Sequence, residues 1–198
     1  MMLDHGIHLV ISHIEFGKIN YNEIKGYLSG QELLKLSTYY FYEDRVRFLL
    51  GRYIIKIQLA KYLNCKPLDI NIQYNNYGRP LISTPNIHFN ISHSLGFVVV
   101  AFDKHPIGID IEYNIKFDND LINQVFFTEN EILYLNSLPR ETKRKEFFKI
   151  WTYKEAYIKA IGMGMSANPN LIDVINISEN SLRYNNEVYK IKYIKLKL

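Results

Sequence analysis

The sequence predicts an α+β protein: a pseudo-two-fold repeat of two similar α+β lobes, residues 1–98 and 99–198, with a ligand cleft between them. Three observations lead there. The chain has 198 residues, 47% hydrophobic and 22% charged, enough for one large domain or two small ones sharing a core. Helical periodicity and strand alternation both occur in each half of the chain. Short segments also echo each other. Glu32-Leu33-Leu34-Lys35-Leu36 resembles Glu131-Ile132-Leu133-Tyr134-Leu135, and Arg52 to Lys56 resembles Glu155 to Lys159.

In chain order, Ile7 to Ile14 reads as an opening strand, followed by a polar stretch. Helical sequence then runs from about Gln31 to Leu63, where Phe48, Leu49, Gly51, Arg52, Ile55, Leu59 and Tyr62 keep three-and-four spacing. Asn75 to Pro80 is a turn. His88 to His93, Phe97 to Phe102 and Ile107 to Glu112 read as three strands joined by short turns. Helices are expected at about Thr128 to Asn136 and Arg144 to Ile161, the second stopped by Gly162 and Gly164. The tail from Ile175 is strand-like, with a phase slip at Tyr193-Ile194 that predicts a bulge or frayed end.

The formal charge of +4 suits an anionic ligand or acidic partner but is too small to imply nucleic acid. A single cysteine, Cys65, precludes an internal disulfide and fits a reducing compartment. With Asp4 and His5 where a signal peptide would be basic and then apolar, and no long apolar run, the expectation is a cytoplasmic protein without a membrane segment.

Three stretches could carry chemistry. In Gly108-Ile109-Asp110-Ile111-Glu112, strand alternation puts two carboxylates on one face, about 7 Å apart at Cα, where they can converge on a cation. Gly108 would leave room for a ligand against the backbone. A half-exposed strand with solvated acids fits the same pattern. In Trp151 to Lys159, Glu155 and Lys159 lie one helical turn apart; taken alone, the stretch is better read as a surface ion pair worth about 0.3–0.5 kcal/mol. Phe89 to Gly96 offers Ser92, His93 and Ser94 as a phosphate cradle. The other histidines read as structural, Trp151 as a core anchor, and Gly78-Arg79-Pro80 as a rigid turn presenting a cation.

Together and in this order, Gly-Arg-Pro, Phe-Asn-Ile-Ser-His-Ser, Gly-Ile-Asp-Ile-Glu and Trp-x-x-Lys-Glu-Ala-x-x-Lys resemble the signature of the 4′-phosphopantetheinyl transferase superfamily, in its single-chain surfactin synthetase activator type. The match runs from about Leu28 to Met165. The resemblance implies transfer of phosphopantetheine from coenzyme A to a serine of an apo acyl or peptidyl carrier protein, with 3′,5′-ADP released. It implies Asp110, Glu112 and Glu155 as Mg²⁺ ligands, an oxygen donor set of the kind that ion prefers. Glu155 is the first choice for general base and Glu112 the second, with Lys159 on the pyrophosphate and Lys154 a neighbour. Ser92 and His93 would face the 3′-phosphate, Arg79 the adenosine end, and Lys35 and Arg47 would add positive charge. The chain would act as a monomer, itself a pseudo-dimer.

Three departures from the family pattern bear on affinity. Glu32 stands where a lysine is common, Met163 replaces the lysine of a Gly-Lys-Gly, and the chain ends at Leu198 before a last strand. Glu32 and Met163 leave open a degenerate relative that binds coenzyme A without turnover. A basic nucleic-acid binder is disfavoured, because the lysines are spread along the chain and the clustered acids would repel phosphates.

Overall fold

The computed structural model describes residues 6–84, 86–113, 122–123, 125–175, 181–184 and 187–190. Its first sheet has three antiparallel strands in the order β1-β5-β4: β1 (His8–His13), β4 (His88–Ser94) and β5 (Phe97–Asp103). The central strand β5 is buried from Val98 to Phe102, a continuous apolar run of the kind found where both faces of a strand are covered. On one face Val98, Val100, Phe102 and Phe89 pack against Val46, Ile55 and Leu59 of the long helix α3 (Tyr42–Leu63). Val99 and Ala101 face the other way, together with their cross-strand partners Ser92 and Asn90. That second face meets the segment carrying Asp110.

The expected helix from Gln31 to Leu63 is two helices, α2 (Gly30–Ser37) and α3, preceded by a short α1 (Tyr21–Lys25) in the stretch read as polar. The break has a local cause. The Ser37 and Thr38 hydroxyls donate to Leu34 O and Lys35 O, and Arg45 Nε donates to Tyr39 O. Side chains thus satisfy carbonyls that a continuous helix would have paired with its own backbone. Between α3 and β4 lies a two-residue-per-strand hairpin, β2 (Gln73–Tyr74) with β3 (Pro80–Leu81).

The second lobe is built on α4 (Glu129–Ser137) and α5 (Arg140–Ile161), around Phe127, Leu135, Phe147, Ile150, Tyr157 and Ile172. The helix expected from Arg144 begins one turn earlier, directly after Pro139. A separate hairpin, β6 (Ser181–Tyr184) with β7 (Glu187–Lys190), follows. The bulge expected at Tyr193-Ile194 lies outside the described residues.

The helices repeat from lobe to lobe. α2 and α4 both start with a capping box, Ser29 with Glu32 and Thr128 with Glu131. α3 and α5 are each 22 residues long and end on a left-handed residue, Asn64 and Gly162. In both lobes the capping-box glutamate is buried and pairs with the fifteenth residue of the long helix, Lys56 at 2.7 Å and Lys154 at 2.5 Å. This corrects the sequence register: Lys56 corresponds to Lys154, and the resemblance of Arg52–Lys56 to Glu155–Lys159 is displaced by about one turn. The line drawn between Val98 and Val99 falls inside β5, all of whose strand pairings are with β1 and β4.

Candidate active site at the junction of the lobes

Ile107 to Glu112 is not a ladder strand. Its amides are met by side chains of β4 instead. Ile109 N donates to Asn90 Oδ1 at 3.0 Å, Ile111 N to Ser92 Oγ at 3.4 Å and Tyr113 N to Ser94 Oγ at 3.1 Å. Alternate residues of the two runs therefore engage, which holds residues 109–113 over the second face of the sheet. On its other side the segment touches α5. A Cβ on Gly108 would lie 1.9 Å from Ala156 O and 2.5 Å from Ala160 N. Gly108 thus serves close packing against the helix, and the room expected there for a ligand is filled by α5.

This packing brings Asp110 to Lys159. Asp110 Oδ1 lies 2.6 Å from Lys159 Nζ and accepts from Ser92 Oγ at 2.8 Å, while Lys159 Nζ also reaches Ser92 Oγ at 2.9 Å. The Asp110 side chain is 3% exposed, and its second oxygen, Oδ2, is buried without a hydrogen-bond partner in the structure. A buried carboxylate oxygen normally has a partner. Glu112 accepts from Trp151 Nε1 at 3.2 Å. Trp151 also packs edge-on against Phe126, so it is both a core contact and a hydrogen-bond donor to an acid of the site.

The acids feel one another. Glu112 sits above the ordinary carboxylate pKa, through loss of water around its carboxyl first and then the Asp110 charge, although solvent still reaches the residue. Glu155 is raised by burial, with Lys159 opposing and Asp110 adding to the shift. The three carboxylates are thus electrostatic neighbours facing the single ammonium of Lys159. Among the described residues no three His, Cys, Asp or Glu side chains stand in ready-made metal-binding geometry. The unpartnered Asp110 Oδ2 and the raised glutamates nevertheless fit a cation, which would supply the missing partner and relieve the repulsion.

The predicted cations divide. Lys154 is fully buried, and its ammonium meets Glu131 Oε2, Phe126 O and Pro169 O. All three of its N–H groups are spent inside the second lobe, so the expectation that it contacts the pyrophosphate is corrected. Glu32, where the family pattern has a lysine, is buried against Lys56, with Arg52 Nε 3.7 Å away. Arg79 donates from Nη1 to Ala160 O at 2.5 Å and from Nη2 to Ile107 O at 3.1 Å. Arg47 donates to Leu95 O and Asp44 Oδ1, both at 2.7 Å, and Lys35 is exposed over the Tyr39 ring. His93 and Ser92 point to opposite faces of β4, by strand alternation. His93 is open to solvent and held below its ordinary pKa, by desolvation first and then by the Arg47 and Lys159 charges.

A cavity of roughly 700 Å³ lies elsewhere, lined by Ser29, Gly30, Gln31 and residues Asn71 to Tyr74. None of the acids borders it, so the site is defined by its charged groups rather than by that hollow. The Ser92–Asp110–Lys159 contact was missed in the sequence because it joins residues far apart in the chain. Its one signal is the shared two-residue spacing of Asn90, Ser92 and Ser94 with Ile109, Ile111 and Tyr113.

Acids with a lysine among them thus gather where the segment 109–113 lies between β4 and α5. Comparison with known proteins shows the family. The family model for the N-terminal part of 4′-phosphopantetheinyl transferases matches residues 18–105, and that for the 4′-phosphopantetheinyl transferase superfamily matches residues 106–195. The 4′-phosphopantetheinyl transferase gsp of Aneurinibacillus migulanus is 40% identical over 145 residues, 73% of this chain and 60% of that protein. The 4′-phosphopantetheinyl transferase HetI of Nostoc sp. is 34% identical over 172 residues, 83% and 72% of the two chains. The 4′-phosphopantetheinyl transferase Sfp of Bacillus subtilis is 33% identical over 141 residues, 71% and 62%. The chain belongs to the 4′-phosphopantetheinyl transferase superfamily. It spans less than two thirds of the length of the first and third of these relatives.

Proposed function

We propose that this chain transfers the 4′-phosphopantetheine arm of coenzyme A to a serine of an apo acyl or peptidyl carrier protein, releasing 3′,5′-ADP. The observation that carries the proposal is the half-buried Asp110–Ser92–Lys159 contact beside Glu112 and Glu155, in a chain whose relatives are named for this transfer. The serine Oγ forms a bond to the β-phosphorus, the bond from that phosphorus to the oxygen bridging to 3′,5′-ADP breaks, and the hydroxyl proton leaves.

Glu155 is the base that takes this proton, and Glu112 the second choice; burial raises the proton affinity of both. Lys159, fixed by Asp110 and Ser92, sets a positive charge against the pyrophosphate. His93, with Arg47 and Lys35, faces the 3′-phosphate from the first lobe. Asp110, Glu112 and Glu155 would hold Mg²⁺, and when bound the ion would offset charge on the pyrophosphate and on the departing 3′,5′-ADP. The first lobe thus supplies nucleotide and carrier contacts and the second the acids. Among the described residues no helix is long and apolar enough to cross a membrane, and we read the chain as a cytoplasmic monomer.

The test is mass spectrometry of a panel of apo carrier proteins incubated with coenzyme A, Mg²⁺ and this protein. A phosphopantetheine mass gain on at least one carrier is expected, and its loss in Asp110→Ala and Glu155→Ala. Coenzyme A binding with no carrier modified would instead establish the non-catalytic alternative.

A further inference from the structure

The hairpin turn of the first lobe reaches across to the end of the helix that carries the site. Asn75 Nδ2 donates to Gly162 O at 2.8 Å, and Arg79 donates from Nη1 to Ala160 O at 2.5 Å. These are carbonyls at the C-terminus of α5, which have no partner within the helix. A cation there also suits the negative end of the helix dipole. The second Arg79 nitrogen binds Ile107 O, at the start of the segment bearing Asp110 and Glu112. One guanidinium thus ties both strings of site residues to a single point, one ending just after Lys159 and the other beginning just before Asp110.

The turn is shaped for this. Asn75 Oδ1 accepts from Tyr77 N and Arg79 N, both at 2.9 Å, and Asn75 N donates to Arg79 O at 3.0 Å. Gly162 has φ +73, and a Cβ there would meet Arg79 Cδ at 2.9 Å. Glycine is needed at that point both for the left-handed backbone and for the approach of the arginine.

We propose that the Asn75–Arg79 turn is a clamp that sets the position of the helix carrying Glu155 and Lys159, and that Arg79 is a positioning residue rather than a contact of the nucleotide. The kinetic part of the test rests on the transferase reading; the exchange part does not.

Three full-length variants separate the possibilities. Asn75→Asp keeps the acceptor that shapes the turn and removes the donor to Gly162. Arg79→Met removes the guanidinium. Arg79→Lys keeps the charge but loses the planar fork that spans two carbonyls. Hydrogen exchange of the amides of residues 158–164 is measured alongside kcat and the KM for coenzyme A. All three variants are expected to exchange about tenfold faster there, since those amides report local opening of the helix end. All three are expected to lose about tenfold or more in kcat, the scale of a misplaced catalytic group, with KM for coenzyme A within about twofold of the parent. Unchanged exchange in Asn75→Asp and Arg79→Lys overturns the clamp. So does a rise in KM confined to Arg79→Met with Arg79→Lys restoring it, which makes Arg79 a ligand contact. If the parent converts no carrier, the transferase reading fails, and the exchange rates alone decide the clamp.

Discussion

Replacing Lys154 by methionine tests whether that residue belongs to the active site or to the scaffold beneath it. Both Lys154 and Glu131 have side chains at 0% exposure, and their charged atoms lie 2.5 Å apart. Glu131 Oε2 also accepts from Thr128 N at 2.8 Å and its Oε1 from Val174 N at 3.0 Å, so its carboxylate stays in place when the lysine is removed. It is then a buried charge without a counter-ion. Breaking such a pair costs about 3–5 kcal/mol, far more than any surface pair. For a protein of this length about 2–4 °C of Tm accompanies each kcal/mol, so Lys154→Met is expected to lower Tm by about 6–20 °C. Adding Glu131→Gln removes the orphaned charge and is expected to recover most of the loss. Circular-dichroism melts at pH 7 supply the numbers, with the KM for coenzyme A measured on the same samples well below the melting range. A Lys154→Met protein whose Tm stays within about 2 °C of the parent while KM rises strongly would refute the structural assignment.

Gly108→Ala places a methyl 1.9 Å from Ala156 O, and helix backbone cannot step aside. A loss of at least about 1–3 kcal/mol is expected in denaturant titration, together with loss of transfer as Asp110 is displaced from Lys159. Ser92→Ala removes the hydroxyl that joins Asp110, Lys159 and Ile111 N, and kcat is expected to fall about tenfold or more with the fold retained; a kcat within twofold of the parent contradicts that role. Glu155→Gln should stabilise the metal-free protein at neutral pH. Its folded pKa lies above the unfolded value of 4.5, so the folded state is penalised increasingly as pH rises from the unfolded value to the folded pKa, and by a constant amount above it. The gain from glutamine is therefore full above that pKa and vanishes as pH falls to the ordinary glutamate value. Melts of both proteins across pH 4–8, with chelator present, check the sign.

Strands β1, β4 and β5 and the long helices were legible because each has an uninterrupted local pattern: alternation or a buried apolar run for strands, three-and-four spacing for helices. The break between α2 and α3 was not legible. It depends on Ser37, Thr38 and Arg45 competing for carbonyls, and hydroxyl residues also occur inside helices. Ile107 to Glu112 alternates like a strand. What it lacks is a backbone partner, and the side chains that replace that partner lie on β4.

By itself, the sequence determined the acids Asp110, Glu112 and Glu155, their order, and the family they signal, because residue type and spacing travel with the chain. Only the tertiary structure decided which of the lysines stands beside those acids. Lys154 and Lys159 are five residues apart on one helix, and at 100° per residue they point in different directions. The first is spent on Glu131 in the core, and the second faces Asp110, with Ser92 of the first lobe between them. Formal charge says nothing of that division, since a lysine's role follows from which carboxylate the fold brings within reach and whether water can reach it too.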